Sequence, residues 1–171
     1  MNMLQILARR RVALGFATAL AVLILAHPSW ATWRAGLLVA LAGEGVRLWA
    51  AGHLEKGREV TRSGPYRWTR HPLYAGSTMM ALGIVIASRS AIVGALVLLY
   101  VAATLTAAIR TEEAFLRTAF GDSYDRYRDS SAEPMRRRFN LARAVRNREH
   151  RAVVGLLAGF ALLALKLRAS L

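Results

Sequence analysis

Apolar residues in this chain gather into five runs, and nearly all the charge falls in the gaps between them. The first run extends from Val12 to Ala26. It meets His27-Pro28 and then Trp30 and Trp33, a placement that suits the aromatic belt of a membrane interface. The second, Ala35 to Gly52, holds Glu44 and Arg47 inside it, whereas the third begins at Leu73 and ends near Ser88. The fourth, Ala91 to Ile109, is uninterrupted. The fifth, Ala152 to Leu167, is about 16 residues, or roughly 24 Å of helix, against a hydrocarbon core of about 30 Å. Lys166 and Arg168 could lengthen it by snorkelling; a re-entrant path, or packing over the other helices, is the alternative. These run lengths predict an all-α integral membrane protein of about five transmembrane helices, near 12–28, 35–52, 73–88, 91–109 and 152–167. The whole chain, 1–171, reads as one membrane domain.

The gap at Ala87-Ser88-Arg89-Ser90 is short enough to make the third and fourth helices an antiparallel hairpin. The segments 53–72 and 110–151 are long and basic, and they are read as a cytoplasmic helical region. Glu112, Phe115, Leu116 and Ala119 recur at helical spacing, so the fourth helix should continue past the membrane surface. Gly121 would stop it, and Asp122 would cap a further short helix on which Tyr124, Tyr127 and Arg128 share a face.

Charge sharpens this picture. The chain is 55% hydrophobic yet carries a formal charge of +14, which requires basic and apolar residues to be segregated. A basic soluble protein would point to nucleic acid; here the positive-inside bias of membrane loops accounts for the charge, and no nucleic-acid partner is expected. With the N-terminus inside, Arg34 and Arg89 are the charges of the two outward loops. The run Arg136-Arg137-Arg138 should face anionic head groups. Arg9, Arg10 and Arg11 ahead of an apolar run resemble a signal peptide, but no small-residue cleavage site follows, so the segment reads as a retained first span. Cysteine is absent, which excludes a thiol nucleophile, a disulfide framework and a thiolate metal site. No metal site is expected.

Candidate chemistry concentrates between Gly64 and Gly76. Two arginines, a histidine, two tyrosines and two prolines stand there directly before an apolar run. Pro72 suits the first turn of a helix, so the amides that follow, with Arg70 and His71, would form a site for a carboxylate or phosphate. A snorkelling basic cluster is the plainer explanation, although snorkelling needs neither prolines nor tyrosines. Glu112-Glu113, past the end of the fourth helix, should approach this corner through the hairpin. Acidic residues near a helix's last turn need a partner. Arg117 is an ordinary one for Glu113, and Glu112 has the better claim to a buried site. Glu44 and Arg47 read first as a structural ion pair at membrane depth.

Taken in order, Arg47-Leu48-Trp49-Ala50, Gly64-Pro65-Tyr66-Arg67, Arg70-His71-Pro72-Leu73-Tyr74-Ala75-Gly76, Glu112-Glu113, Leu116, Phe120-Gly121, Tyr124 and Tyr127 resemble the isoprenylcysteine carboxyl methyltransferase and phospholipid methyltransferase superfamily of membrane enzymes. The resemblance covers about residues 44 to 128. It implies a membrane methyltransferase that uses S-adenosyl-L-methionine, with Tyr66, His71, Pro72, Tyr74, Gly76, Glu112 and Glu113 binding the cofactor and Arg70 and Glu112 as catalytic residues. The acceptor would be a lipidic or amphiphilic carboxylate or amine reached from the bilayer. The site would face the cytoplasm from a bacterial inner membrane or other cell membrane. Membrane sterol reductases, which use NADPH, share much of this corner, but their motif has asparagine and an acidic residue where this chain has Leu73 and Ser77. A reductase and a non-catalytic membrane scaffold are the alternatives. The sequence leaves the acceptor's identity and the oligomeric state open.

Overall fold

A computed structural model describes residues 3–169, with side chains from residue 13 onward. The side chains of Arg9, Arg10 and Arg11 lie outside the described residues. Among the described residues there are seven α-helices and one 3-10 turn, with no strand. They are α1 (Met3–Leu25), α2 (Trp30–Ala51), the turn Gly64–Arg67, α3 (Pro72–Ser88), α4 (Ala91–Phe120), α5 (Asp122–Arg128), α6 (Leu141–Arg146) and α7 (Glu149–Ala169).

Local sequence sets the helix starts. Ser29 and Thr32 cap α2 reciprocally, Ser90 accepts from the Val93 amide at the start of α4, and Pro72 opens α3. Only Arg89 and Ser90 separate α3 from α4, with Arg89 in the left-handed region at φ 49°, so the two helices form the hairpin expected from the short gap.

The closest packing in the fold is α2 against α3. A Cβ added at Gly36 would lie 2.3 Å from the Gly83 carbonyl oxygen, and one at Gly43 would lie 2.6 Å from that of Gly76. Glycines seven residues apart on each helix therefore put backbone against backbone at two levels of an antiparallel crossing. Small residues at such a contact are the usual means of close helix approach where lipid supplies no hydrophobic drive.

At one end of the bundle the His27 amide donates to the Ser88 carbonyl at 2.8 Å and the Trp33 indole to the Phe160 carbonyl at 2.9 Å. Lys166 donates to the carbonyls of Leu23 and Ile24 at 2.6 and 2.8 Å, so it caps the last turn of α1 rather than only snorkelling. At the other end Arg47 meets Glu149, and the Asn147 amide donates to the Ala51 and Leu54 carbonyls, both at 2.9 Å. Helix α7 thus lies antiparallel to α2 and reaches both ends of the bundle. The core between the helices is made of Val22, Ala40, Val93, Val97, Phe160 and Leu163.

Outward faces are apolar, with Phe16, Leu20, Leu38, Leu99 and Val154 exposed. Helices α4 and α7 are long and apolar enough to cross a membrane, and α3 and the 13–25 portion of α1 are shorter apolar helices. An apolar exterior of this extent, together with those helices, places the protein with membranes.

The two basic segments fold onto each other at the second end. Arg137 makes a bidentate pair with Glu59 (2.6 and 2.8 Å) and donates to the His53 carbonyl, and Arg143 pairs with Glu55 at 2.7 Å. Of the Arg136-Arg137-Arg138 run, expected to face head groups, Arg137 is therefore turned inward by a carboxylate. Helix α4 does run on past Ile109 and stops at Gly121, whose φ of 44° favours glycine. Asp122 does not cap α5; Gly121 holds that position and Asp122 lies in the first turn.

Candidate active site

Because Pro72 lacks an N–H, α3 starts there and His71 is left outside the helix with its ring free to turn toward α4. Its Nε2 lies 3.0 Å from Glu113 Oε1, and Arg70 Nη1 lies 3.5 Å from the same oxygen. Within the first turn of α3, the Tyr74 hydroxyl donates to Glu112 Oε2 at 2.7 Å. The His71 and Tyr74 rings lie 5.7 Å apart at an angle of 31°. The hairpin thus brings two consecutive carboxylates to the residue that precedes α3 and to one in its first turn. Glu113 supplies the negative charge that the helix start and its basic neighbours attract. The hydrogen bond from His71 is the main reason its carboxyl is held below the ordinary glutamate range, and Arg70 adds to it. Arg117, its alternative partner, pairs instead with Asp125 at 3.6 Å. Glu112 is only half-buried, and Phe115 nearby is exposed, so that face of α4 is not a buried one.

The 3-10 turn is held by α5. Tyr127 donates to the Tyr66 carbonyl at 2.8 Å and lies 3.4 Å from that of Thr69. Burial pushes the Tyr127 phenol up to about 12, so it stays a donor at neutral pH. Tyr66 and Tyr124 are buried beside it, and burial raises both phenols as well. For Tyr66, Glu112 is the next cause. Pro72 is buried at the start of α3. Gly76 does not join this corner. Two residues beyond Tyr74 it points about 200° away, and a Cβ there would meet the Gly43 carbonyl and Arg47 Cγ, both at 2.6 Å.

Behind that contact lies a cluster only half legible in the sequence. Arg47 sits 3.7 Å from Glu44, but its nearer partner is Glu149, with Nε to Oε1 at 2.7 Å. It also donates to Ser77 Oγ and to the Leu73 carbonyl. Glu149 opens α7 and is buried, whereas the Glu44 carboxylate is buried with no hydrogen bond among the described residues. Sequence reasoning missed Glu149. Its signal was there: it is the one acidic residue between Pro134 and Leu171.

A cleft of about 860 Å³ opens on the other side of the 3-10 turn, walled by Trp49, Trp68, Arg67 and the stretch 133–138. Its tryptophan rings lie 5.5 Å apart, tilted at 53° to each other. His53, buried in its wall and 3.1 Å from Ser63 Oγ, has its pKa lowered by burial first and by Arg143 and Arg137 next. Gly64, at φ 57°, lies against that ring, where a Cβ would come within 2.5 Å of it.

An all-helical bundle with apolar outer faces, and a polar end that gathers tyrosine, histidine and paired carboxylates, defines a helical membrane-associated protein with its candidate site at that end. The chain belongs to the phospholipid methyltransferase family, whose family model matches residues 16–123, and so to the isoprenylcysteine carboxyl methyltransferase-like superfamily of membrane methyltransferases. The match takes in the whole His71, Tyr74, Glu112 and Glu113 corner but stops before Tyr127 and Glu149. The chain is 38% identical over 110 residues to the cobalt-zinc-cadmium resistance protein CzcN of Cupriavidus metallidurans, covering 59% of this chain and 51% of that protein. It is 31% identical over 122 residues to the nickel-cobalt-cadmium resistance protein NccN of Alcaligenes xylosoxydans xylosoxydans, covering 66% of this chain and 57% of that protein. The chain spans a little over half the length of these curated relatives. No solved structure matches it.

Proposed function

We propose that this chain is an S-adenosyl-L-methionine-dependent methyltransferase acting on a lipidic or amphiphilic carboxylate or amine at a membrane surface. The observation that carries this reading is the double link between α3 and α4, Tyr74 to Glu112 and His71 to Glu113, inside the stretch that matches a methyltransferase family. The residues fit the cofactor. A ligand bearing an ammonium, ribose hydroxyls and a carboxylate needs acceptors and a cation close together, and Glu112, Glu113 and Arg70 supply both. Glu112 would take the ammonium or hydroxyls, Arg70 and His71 the carboxylate, and the Tyr66 and Tyr74 rings would line the apolar part. When bound, S-adenosyl-L-methionine supplies a methyl carbon on a cationic sulfur, which an acceptor oxygen or nitrogen displaces to leave a neutral thioether.

The chain's own part is positional. The Tyr127 hydrogen bond and Pro72 hold the turn in place, so that acceptor and methyl group meet at reacting distance. A carboxylate acceptor is already ionised at neutral pH and needs no base. For an amine, Glu112 is the group placed to receive the proton. In this reading α1 to α4 and α7 cross a cell membrane, with the corner on the cytoplasmic side where the arginines collect. The names of the two relatives point to metal tolerance as the setting; the sensitivity of a strain lacking the chain to cobalt, zinc and cadmium tests that context.

Calorimetry on the full chain in detergent tests the chemistry. S-adenosyl-L-methionine and S-adenosylhomocysteine should bind, NADPH should not, and Glu112→Gln should lose the adenosyl ligands while keeping its melting temperature. Binding of NADPH alone would move the protein to the reductases. Absence of binding by all three would favour a scaffold.

A further inference from the structure

From the second side of the 3-10 turn we infer that the cleft walled by Trp49, Trp68 and residues 133–138 binds an anionic amphiphile, a carboxylate or phosphate head on an apolar tail. Three of the arginines that line it have no partner among the described residues. Arg67, Arg136 and Arg138 make no ion pair there, whereas Arg137 between them is neutralised by Glu59. The one acidic residue in the lining is Glu133, so the unpaired charge is positive. His53 does not add to it, because burial and the nearby arginines favour its neutral form. The head group therefore has to be an anion, and arginine forks suit a carboxylate or phosphate in particular.

The tail is specified by the tryptophans. Trp49 lies in the last turn of α2 and Trp68 just beyond the 3-10 turn, their ring centres 5.5 Å apart and tilted at 53°, with Trp68 75% exposed. Two indoles left facing open space beside arginines form a surface that is apolar at one edge and charged at the other. At about 860 Å³ the cleft is much larger than an inorganic phosphate requires and falls in the range of sites for drug-sized ligands. The family match ends at residue 123, so the 133–138 wall belongs to the part of the chain it does not reach. Tyr66 and Arg70 serve the corner on one side of the turn, whereas Arg67 and Trp68 face the cleft on the other. A ligand held here lies next to the proposed methyl-transfer site; taking it to be the acceptor rests on that reading, but its binding does not.

The test titrates the full chain, at a fixed concentration of maltoside detergent, with dodecyl phosphate, dodecylphosphocholine and inorganic phosphate, following tryptophan fluorescence. Dodecyl phosphate should bind saturably. The triple variant R67Q/R136Q/R138Q should bind it about tenfold or more weakly, since each charged hydrogen bond contributes enough for such a factor. Trp68→Leu should weaken dodecyl phosphate while leaving inorganic phosphate unchanged. All the substituted residues are exposed, so unchanged melting temperatures will show the variants to be folded. Equal affinity for dodecylphosphocholine would overturn the charge argument, equal affinity for inorganic phosphate the role of the tryptophans, and an unaffected triple variant the site itself. A protein that binds dodecyl phosphate in this arginine-dependent way but ignores S-adenosyl-L-methionine keeps the site and loses the methyl-transfer reading.

Discussion

Gly43→Ala adds a single methyl group where two helix backbones already touch. The new Cβ would stand 2.6 Å from the Gly76 carbonyl oxygen and 2.8 Å from both Met79 Cβ and the Met80 nitrogen. Unstrained contacts lie at about 3.5 Å or more, so α2 and α3 must part by close to 1 Å or bend. None of the three atoms can rotate away, because each is fixed by the backbone of α3. Overpacking of this kind costs about 1–3 kcal/mol. Alanine's better helix propensity, worth about 1 kcal/mol, works in the opposite direction. Gly45 separates the two effects: it lies on the same helix, and a Cβ there meets nothing within 4 Å. Gly45→Ala should therefore raise the melting temperature of the full chain in detergent. Gly43→Ala should melt below Gly45→Ala by the clash alone, which at about 2–4 °C per kcal/mol for a chain of this size is about 2–12 °C. Thermal unfolding of the three proteins side by side, followed by intrinsic fluorescence, gives the comparison. If the two variants melt together, the α2–α3 contact is not as close as described.

Three further outcomes follow from the polar end. Arg47→Met leaves Glu149 and Glu44 buried without their cation and should cost about 3–5 kcal/mol, with Arg47→Met/Glu149→Leu recovering part of the loss in the same melting assay. Tyr127→Phe removes the donor to the Tyr66 carbonyl and should cost about 0.5–1.5 kcal/mol; hydrogen exchange at residues 64–70 should rise, and unchanged exchange would remove Tyr127 as the brace of the turn. Glu113 is held below the ordinary glutamate value of about 4.3, so its contribution is present at neutral pH and is lost only as pH falls through the lower folded value. Glu113→Gln should accordingly flatten the acid side of melting temperature against pH, and an unaltered acid limb would show that the His71 link carries no stability.

How far the sequence could be read depended on whether a residue's partner was near or far along the chain. Pro72 announced the start of α3 and Gly121 the end of α4, because a missing N–H and a positive φ are properties of the residue itself. The two-residue link fixed an antiparallel hairpin, and that was enough to bring Glu112 and Glu113 to the Arg70-His71 corner. Which carboxylate took which partner was not legible. Arg117 at i+4 was a fair partner for Glu113, and only the turn of α4 gave Glu113 to His71 and Arg117 to Asp125.

Gly76 shows the same boundary from the other side. Its place in the motif suggested a cofactor contact, but the 3.6-residue period of α3 turns it toward α2, where backbone contact requires glycine. The inward turn of Arg137, the pairing of Arg47 with Glu149 and the cleft between Trp68 and residues 133–138 all join segments far apart in the chain. Helical periodicity and punctuation act within a few residues, so the sequence by itself determined the apolar runs, the helix ends and the family corner. The pairing of charges across the basic segments, the depth reached by α7 and the second cleft depend on where whole helices come to rest, and only their packing in three dimensions decided them.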